Sequence, residues 1–209
     1  KKLIINSILM IMSVSILIPQ EWELSFSAGT FDANNLFMGG SEVMHIVPHK
    51  NKLFASIGYW QDENNIWYGG SDLNIGWSQV ICLENEDDDW QVDLDLGYNH
   101  LRPGILKQVI FTRDYTGVQL NSPDTLLIAG AFSPNYISGI VSANIFIRDD
   151  QDGTWNQILV YEGDYSSEES YSMRDIEIFM DQVTGIENLI VSVGTVSYTH
   201  LTLPTMFEG

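Results

Sequence analysis

Apolar residues along the chain come in short runs of about four to seven, separated by Gly, Asn, Asp and Ser. Runs of this length between turn residues are typical of β-strands, and the three- and four-residue spacing of amphipathic helices is nearly absent after the first segment. Near the start, Trp22, Leu24 and Phe26 alternate with polar residues. They predict a half-buried strand, followed by a loop over residues 29–40. The pattern as a whole predicts an all-β protein.

A unit of strands and turns occurs twice in full, over residues 41–97 and 107–163, and a third time in part, over residues 174–195. Corresponding positions recur at about 66 residues. The turns Asp114-Tyr115-Thr116-Gly117 and Asp181-Gln182-Val183-Thr184-Gly185 each lie between two apolar runs. Asp can bond its own backbone and Gly adopts positive φ without steric cost, so both segments are predicted to be hairpin turns.

The second strands of the three copies superpose as residues 53–58, 126–131 and 189–194. The third strands superpose as residues 81–83 and 145–147, each followed by an acidic turn and a tryptophan, Trp90 or Trp155. Four antiparallel strands per copy, repeated along the chain, are typical of β-propeller blades. We therefore predict a partial β-propeller over residues 19–195, with about two and a half four-stranded blades.

The acidic turn of the second copy, Asp150-Gln151-Asp152-Gly153-Thr154-Trp155, resembles the Asp box of sialidase-like propellers, also called a BNR-type repeat. In that family Ser/Thr-x-Asp-x-Gly-x-Thr-Trp/Phe closes the hairpin between the third and fourth strands of a blade. This copy lacks the spacer before Thr154 and the initial Ser/Thr, and the first copy keeps only its acids and Trp90. The resemblance implies the propeller fold and not an activity, because the Asp box stabilises a turn far from the catalytic centre.

The 209-residue chain has a formal net charge of −19 and only nine Lys and Arg residues. Nucleic-acid binders neutralise phosphates with Lys and Arg, so this balance argues against a nucleic-acid partner. An acidic surface that keeps an exported protein soluble is the simpler interpretation, and a cation-attracting surface is the alternative.

The two ends of the chain have patterns that differ from the strand-and-turn pattern between them. Two lysines and an apolar run over residues 1–18 have the pattern of a secretory signal peptide, which predicts a secreted, periplasmic or cell-surface protein. An uncleaved anchor is the alternative, and no other membrane segment is expected.

Residues 196–209 include a string that resembles the translation of a sequencing adapter, so we expect them to be foreign and further blades to follow in the natural protein. A genuine final strand is the alternative, and for a nearly whole chain a small β-sandwich or an assembly of several chains would fit better.

No catalytic site can be assigned. The sequence contains no Gly-x-Ser-x-Gly elbow, phosphate-binding loop or His-Glu-x-x-His motif, and its four arginines fall at different positions within the repeat. His45, His49 and His100 are interpreted as ordinary surface or core residues, and Cys82 as a small buried hydrophobic residue.

Two surfaces are candidate ligand sites. The first strand of each blade lines the central channel of a propeller, so its polar ends would stand around one mouth of the channel. These residues are Glu42, Lys107, Gln108, Arg174 and Asp175. Solvent-exposed strand ends without a ligand are the alternative.

The second surface is the long loop of the first copy, where Trp60, Trp67 and Tyr68 lie among Asn, Gln and Asp. Exposed aromatic rings beside amides and carboxylates can stack on sugars or anchor a peptide. Equally, Trp60 can cap the core of the blade.

For metals, Asp150 and Asp152 offer alternating oxygen ligands that would suit Ca²⁺. The competing interpretation, that these carboxylates bond turn amides above a packed Trp155, requires no ion, and no cofactor is otherwise predicted.

The sequence thus predicts a secreted recognition module that binds carbohydrate or peptide through propeller loops, and is more consistent with a binder than with an enzyme. The alternatives are a sialidase-like glycan hydrolase with part of its catalytic residues in further blades, and a purely structural domain. The oligomeric state is not predicted.

Overall fold

The computed structural model describes residues 23–58, 78–97, 100, 103–135, 140–164 and 172–194. The described chain is all-β, as the apolar pattern predicted. Within these ranges no helix has the length and apolar character needed to cross a membrane. The proposed signal peptide (1–18), the terminal segment (196–209) and the aromatic loop lie outside the described residues.

Twelve strands are assigned within the described ranges. In chain order they are β1 (Thr30–Phe31), β2 (Phe37–Met38), β3 (Glu42–His49), β4 (Lys52–Gly58), β5 (Gln79–Leu83), β6 (Gln91–Asp95), β7 (Pro103–Arg113), β8 (Gln119–Asn135), β9 (Ile140–Arg148), β10 (Trp155–Asp164), β11 (Met173–Met180) and β12 (Glu187–Val193).

The larger strands form three antiparallel sheets, which fall within the three predicted copies of the unit. The first sheet has the order β3-β4-β5-β6, the second β7-β8-β9-β10, and the third contains β11 and β12. The first two sheets are four-stranded meanders, in which each strand pairs with its neighbour in the sequence. Strands β1 and β2 form a separate small hairpin.

The sheets pack face to face in chain order. Phe54, Val80 and Cys82 of the first sheet contact the second sheet through Leu127 and Ala129. The opposite face of the second sheet packs on the third through a cluster of branched residues. This cluster includes Val109, Ile128, Ile145, Ile147, Ile176, Leu189 and Val191. The first strands β3, β7 and β11 run side by side, because β7 contacts both of the others. We call the interface between the first and second sheets the first seam, and the interface between the second and third sheets the second seam.

The strand superposition from the sequence was wrong by one residue in the second copy. It equated Phe54 with Leu127, yet these two side chains face each other across the first seam. Ile128 faces the third sheet, as Phe54 faces the second, so Ile128 is the equivalent of Phe54. A shift of one residue moves every side chain of a strand to the other face. The error arose because Leu126, Leu127 and Ile128 are all aliphatic and so carry no alternation.

The two predicted hairpin turns are confirmed. The Asp114 carboxylate accepts hydrogen bonds from the backbone N–H groups of Thr116 and Val118, at 2.9 Å each. The Asp181 carboxylate accepts one from the Val183 N–H at 2.8 Å. Gly117 and Gly185 adopt φ values of 85° and 73°. These are the positive φ values that glycine adopts without steric cost.

The strand predicted around Leu24 is not observed, since residues 23–29 have no regular structure and Leu24 is 86% exposed. The segment instead crosses the free face of the first sheet. There Phe26 packs on the cluster that contains Trp90, and the Trp90 indole N–H donates to the Ser25 hydroxyl at 2.9 Å. The alternation predicted the burial of Phe26 but not the irregular backbone.

Cys82 is buried in the first seam, as predicted. Burial, assisted by the nearby Asp93 carboxylate, raises the pKa of the Cys82 thiol to about 11. At neutral pH this cysteine is therefore a small neutral side chain of the core.

Candidate functional site

A buried histidine lies at the end of the first seam. His49 is the last residue of β3, and its side chain has no exposed surface. Its Nε2 lies 2.8 and 3.1 Å from the two Asp150 carboxylate oxygens, and its Nδ1 lies 2.9 Å from Oε1 of Gln108. Its ring also makes an edge contact with Phe54. His49 therefore joins the β3–β4 hairpin of the first sheet to β7 and to the β9–β10 turn of the second.

An arginine and an aspartate form the second half of this network. Arg148, at the end of β9, donates from Nε and Nη2 to the two Asp93 carboxylate oxygens on β6, at 2.8 and 3.0 Å. Its Nη1 donates to Asp150 at 2.9 Å, and its guanidinium lies 5.0 Å from the centre of the Phe54 ring. The Trp155 indole N–H also donates to Asp93, at 2.7 Å. We call His49, Asp93, Gln108, Arg148, Asp150 and Trp155 the seam network.

The charges in the seam network compensate one another. Hydrogen bonding to Asp93, against the opposing effect of burial, raises the pKa of Arg148 further above its usual value. The guanidinium is thus permanently cationic. It bonds Asp93 through two charge-assisted hydrogen bonds and Asp150 through one. This pairing allows Arg148 and Asp93 to lie in the seam with side-chain exposures of only 8% and 13%.

Three hairpin turns meet above this network and enclose a cleft of about 330 Å³. The turns join β3 to β4, β5 to β6 and β9 to β10. The lining residues are His49, Lys50, Lys52, Phe54, Glu84, Arg148, Asp150, Gln151, Asp152 and Gly153. Lys50, Lys52 and Arg148 bring together three of the chain's nine Lys and Arg residues. The lining also contains three carboxylates, Glu84, Asp150 and Asp152, so the cleft has balanced charges on a strongly acidic protein.

Backbone geometry positions the lysines. Lys50 and Asn51 adopt φ values of 48° and 63°, which form a two-residue hairpin and direct Lys50 outward. Lys52 pairs with Glu84 across the cleft, and this hydrogen bond raises the pKa of Lys52. No ion pair of Lys50 occurs within the described ranges, so its ammonium is available to a ligand.

The two proposed metal ligands lie in this cleft but have other partners. Asp150 binds His49 and Arg148. Asp152 accepts hydrogen bonds from the Thr154 hydroxyl at 2.7 Å and the Thr154 N–H at 2.9 Å, which lower the Asp152 pKa. Across residues 23–58, 78–97, 100, 103–135, 140–164 and 172–194, no three His, Cys, Asp or Glu side chains are grouped so that they could hold one ion.

The polar residues predicted at the channel mouth are only partly brought together. Lys107 lies in the middle of β7, four residues after the strand begins, and its ammonium is 3.2 Å from Asp175 on β11. Gln108 points to the opposite seam and binds His49. Arg174 donates to the carbonyl oxygen of Gly194 at 2.8 Å, and Glu42 is half-buried at the start of β3. The other predicted ligand residues, Trp60, Trp67 and Tyr68, lie outside the described residues.

Sequence reasoning missed the seam network, which links side chains 55 to 101 positions apart. Two signals pointed to it. One was an arginine directly before the acidic turn, at Arg148, and the other was a histidine at a hairpin end, at His49. Neither identifies its partner without the sheet order.

Comparison with known proteins returned no relative: the chain matches no protein family model, no curated protein and no solved structure. The resemblance to Asp-box repeats therefore stays a prediction from the sequence.

Proposed function

We propose that this chain belongs to a β-propeller that acts as an extracellular recognition module, and that it binds a carbohydrate or a peptide through its hairpin loops. The observation that supports this proposal is the cleft of about 330 Å³ where three hairpins from two sheets converge. Its size lies at the lower end of ligand pockets, which suits one or two sugar units or a few peptide side chains.

The chemistry of the lining favours a carbohydrate over a peptide. Sugar hydroxyls both donate and accept hydrogen bonds, and the cleft offers donors in Lys50 and Lys52 and acceptors in Glu84, Asp150 and Asp152. A peptide anchor would need an apolar pocket, but the one aromatic lining residue, Phe54, is fully buried. An acidic sugar would in addition gain from the unpaired Lys50 ammonium.

The hydrolase alternative gains no support from the cleft. Of the described arginines, Arg148 lines it, and the guanidinium of Arg148 is already bonded to Asp93 and Asp150. Release of this arginine to hold a substrate carboxylate would leave Asp93 unpaired in the seam. A binding role requires no such rearrangement.

The test is a glycan array followed by calorimetry, with an extended-peptide library as the second arm. Lys50→Asn removes the charge while Asn tolerates the positive φ of this turn. We expect it to weaken binding about tenfold, the size of one lost charge-assisted hydrogen bond. Gln151→Ala, at the opposite side of the cleft, should weaken binding by a smaller factor.

Glu162→Gln is the matched control, since Glu162 is exposed on β10 and does not line the cleft. Its affinity should equal that of the unchanged protein. A ligand whose affinity is indifferent to both Lys50→Asn and Gln151→Ala would show that the cleft is not the binding site. Absence of binding in both arms would refute the recognition role.

A further inference from the structure

The third sheet carries an exposed groove on the face turned away from the second sheet. In the β11–β12 pairing, Glu177 is opposite Ile190 and Phe179 is opposite Asn188, so these four side chains share one face. We call them the outer face. The groove above them measures about 670 Å³ and is also lined by Ile178, Asp181, Thr184 and Ile186. Phe179, the penultimate residue of β11, is 57% exposed.

The corresponding face of each earlier sheet is covered by the next sheet along the chain. In the first sheet this face carries Phe54, which is fully buried against Leu127 and its neighbours. In the second sheet it carries Ile128, which is fully buried against Ile176 and Val191. In both cases the first two strands of the following sheet contribute to the cover: β7 and β8 cover the first sheet, together with Phe146 of β9, and β11 and β12 cover the second. The outer face is therefore the third in a series of equivalent sheet faces, and each of the first two is covered by the next sheet.

The charges around the groove indicate what would complement it. At the second seam, Lys107 of the second sheet pairs with Asp175 and Glu177 of the third. One ammonium thus serves two carboxylates, which leaves a negative charge in excess at this position. Asp181 adds another acid to the groove, and none of the lining residues is a cation. An occupant of the groove would gain from a lysine or arginine near Glu177.

We propose that the outer face is an interaction surface for a β-hairpin that presents branched aliphatic side chains on one face and a Lys or Arg on its first strand. The hairpin stacks on the third sheet as the third sheet stacks on the second. Its aliphatic face covers Phe179 and Ile190, and its cation meets Glu177. This inference is independent of the ligand cleft, which lies at the other seam.

A second copy of the chain is a poorer occupant. Stacking of one third sheet on another would place Asp175 and Glu177 of one copy against Glu177 of the other, in a chain whose net charge is −19. Like charges across an interface select against the wrong partner. A β11–β12 hairpin that carries lysines in place of Asp175 and Glu177 should therefore bind the outer face better than the native hairpin does.

A charge-reversed hairpin is therefore the probe. A peptide of residues 173–193 is closed head to tail through a D-Pro-Gly turn, because Met173 and Val193 are directly paired. One version keeps the native residues and the other carries Asp175→Lys and Glu177→Lys, and the hairpin conformation of both is verified by NMR. Fluorescence polarisation then measures their binding to the full chain. We expect the charge-reversed probe to bind about three- to tenfold more tightly at low salt, and this difference to shrink in 1 M salt.

The chain offers a matched pair of variants. Phe179→Lys places a charge on the outer face and should abolish binding of the charge-reversed probe. Val183→Lys changes a residue that is 93% exposed at the tip of the same hairpin and does not line the groove, so binding should be retained. Equal affinity of the two probes, or binding that survives Phe179→Lys, would overturn the proposal. So would a dimer of the chain alone that Phe179→Lys dissociates, since a second copy would then be the occupant.

Discussion

The two seams bury similar faces of similar sheets, yet their chemistry differs. At the first seam, aliphatic packing around Phe54 is bordered by the seam network, in which Arg148, Asp93, Asp150 and His49 are bonded to one another. At the second seam the core is apolar and includes Phe111 and Met173 beside the aliphatic residues, and Lys107 is paired near the surface. One carboxylate, Glu187, is buried there and accepts hydrogen bonds from Thr112 and Arg113. The first contact thus contains a buried ion pair, whereas over the residues that the structure describes the ion pairs of the second lie near the surface, and this contact depends mainly on shape and hydrophobicity.

This difference predicts different responses to mutation. Hydrophobic burial is non-directional and tolerates substitution that keeps volume, whereas a buried charge requires its own partner. The first seam should therefore accept a single alignment of its two sheets. The second should depend on how much aliphatic surface is covered. The following predictions test this comparison, starting with the largest effect.

Arg148→Met should be the most damaging change. It keeps most of the side-chain volume but leaves Asp93, at 13% side-chain exposure, without its bidentate partner. Loss of one member of a buried ion pair costs about 3 to 5 kcal/mol of unfolding free energy. Urea unfolding of the variant measures this cost. A loss below about 1 kcal/mol would mean that the seam network does not hold the two sheets.

The double variant Asp93→Leu with Arg148→Met sharpens this test. It removes the charges of Asp93 and Arg148 together, so Asp93 is not left without its cation, and Asp150 keeps its contact with His49. Replacement of a buried pair by apolar residues is often neutral or stabilising. We expect the double variant to be more stable than Arg148→Met alone. If the double variant were instead less stable, the damage from Arg148→Met would come from lost packing and not from an unpaired charge.

Ile176→Ala probes the second seam, where Ile176 is fully buried in the aliphatic cluster. Loss of transfer free energy together with the cavity left behind should destabilise the fold by about 2 to 5 kcal/mol. Ile176→Val should cost about 0.5 to 1.5 kcal/mol. Such a graded response is expected of a seam held by area alone. Val183→Ala, at an exposed turn, serves as the control and should leave the urea midpoint unchanged.

Glu187 tests the polar border of the second seam through pH. Burial alone would raise the pKa of Glu187, but hydrogen bonds from the Thr112 hydroxyl and N–H, at 2.7 and 2.6 Å, and from the Arg113 N–H lower it below its usual value. A carboxylate with a depressed folded-state pKa stabilises the protein above its unfolded pKa, about 4.3, and this stabilisation is lost as the pH falls through the folded pKa.

Glu187→Gln should therefore cost about 1 to 2 kcal/mol at pH 7, because charge-assisted bonds become neutral ones. The difference from the unchanged protein should close as the pH falls through the lowered folded-state pKa of Glu187, because the carboxylate then becomes neutral. Urea unfolding at pH 7, 5 and 3 measures this difference in unfolding free energy. A constant difference at all three pH values would show that the carboxylate charge is not what Thr112 and Arg113 bind.

Much of the fold could be predicted from the sequence because its signals are local. Turn residues such as Asp114 and Gly117 determine their hairpins within a few positions, and the apolar runs between them determine the strands. Which face of a strand points to which neighbour depends on alternation, and the run Leu126, Leu127, Ile128 has none. The superposition therefore slipped by one residue there and exchanged the two faces.

The candidate site was less predictable, because its parts come from three hairpins that meet only after the sheets have stacked. The acidic turn was recognised, and Asp152 bonds its own turn as one interpretation held. Asp150 was treated in the same way but binds His49 and Arg148 instead. Arg148, two residues before Asp150, is the one local difference between the two acids, and it does not identify His49 as the other partner. The distinction depends on which side of the turn faces the first sheet.

Lys107→Met gives the smallest expected effect. Hydrogen bonds to Glu177 and Asp175 outweigh the effect of burial and raise the pKa of Lys107, yet its partners are 65% and 60% exposed. Pairs this close to solvent contribute about 0.2 to 1 kcal/mol and are screened by salt. The loss should accordingly fall toward zero in 1 M salt, whereas that of Arg148→Met should persist. Equal salt sensitivity in the two variants would remove the distinction between a seam with buried ion pairs and one whose ion pairs lie near the surface.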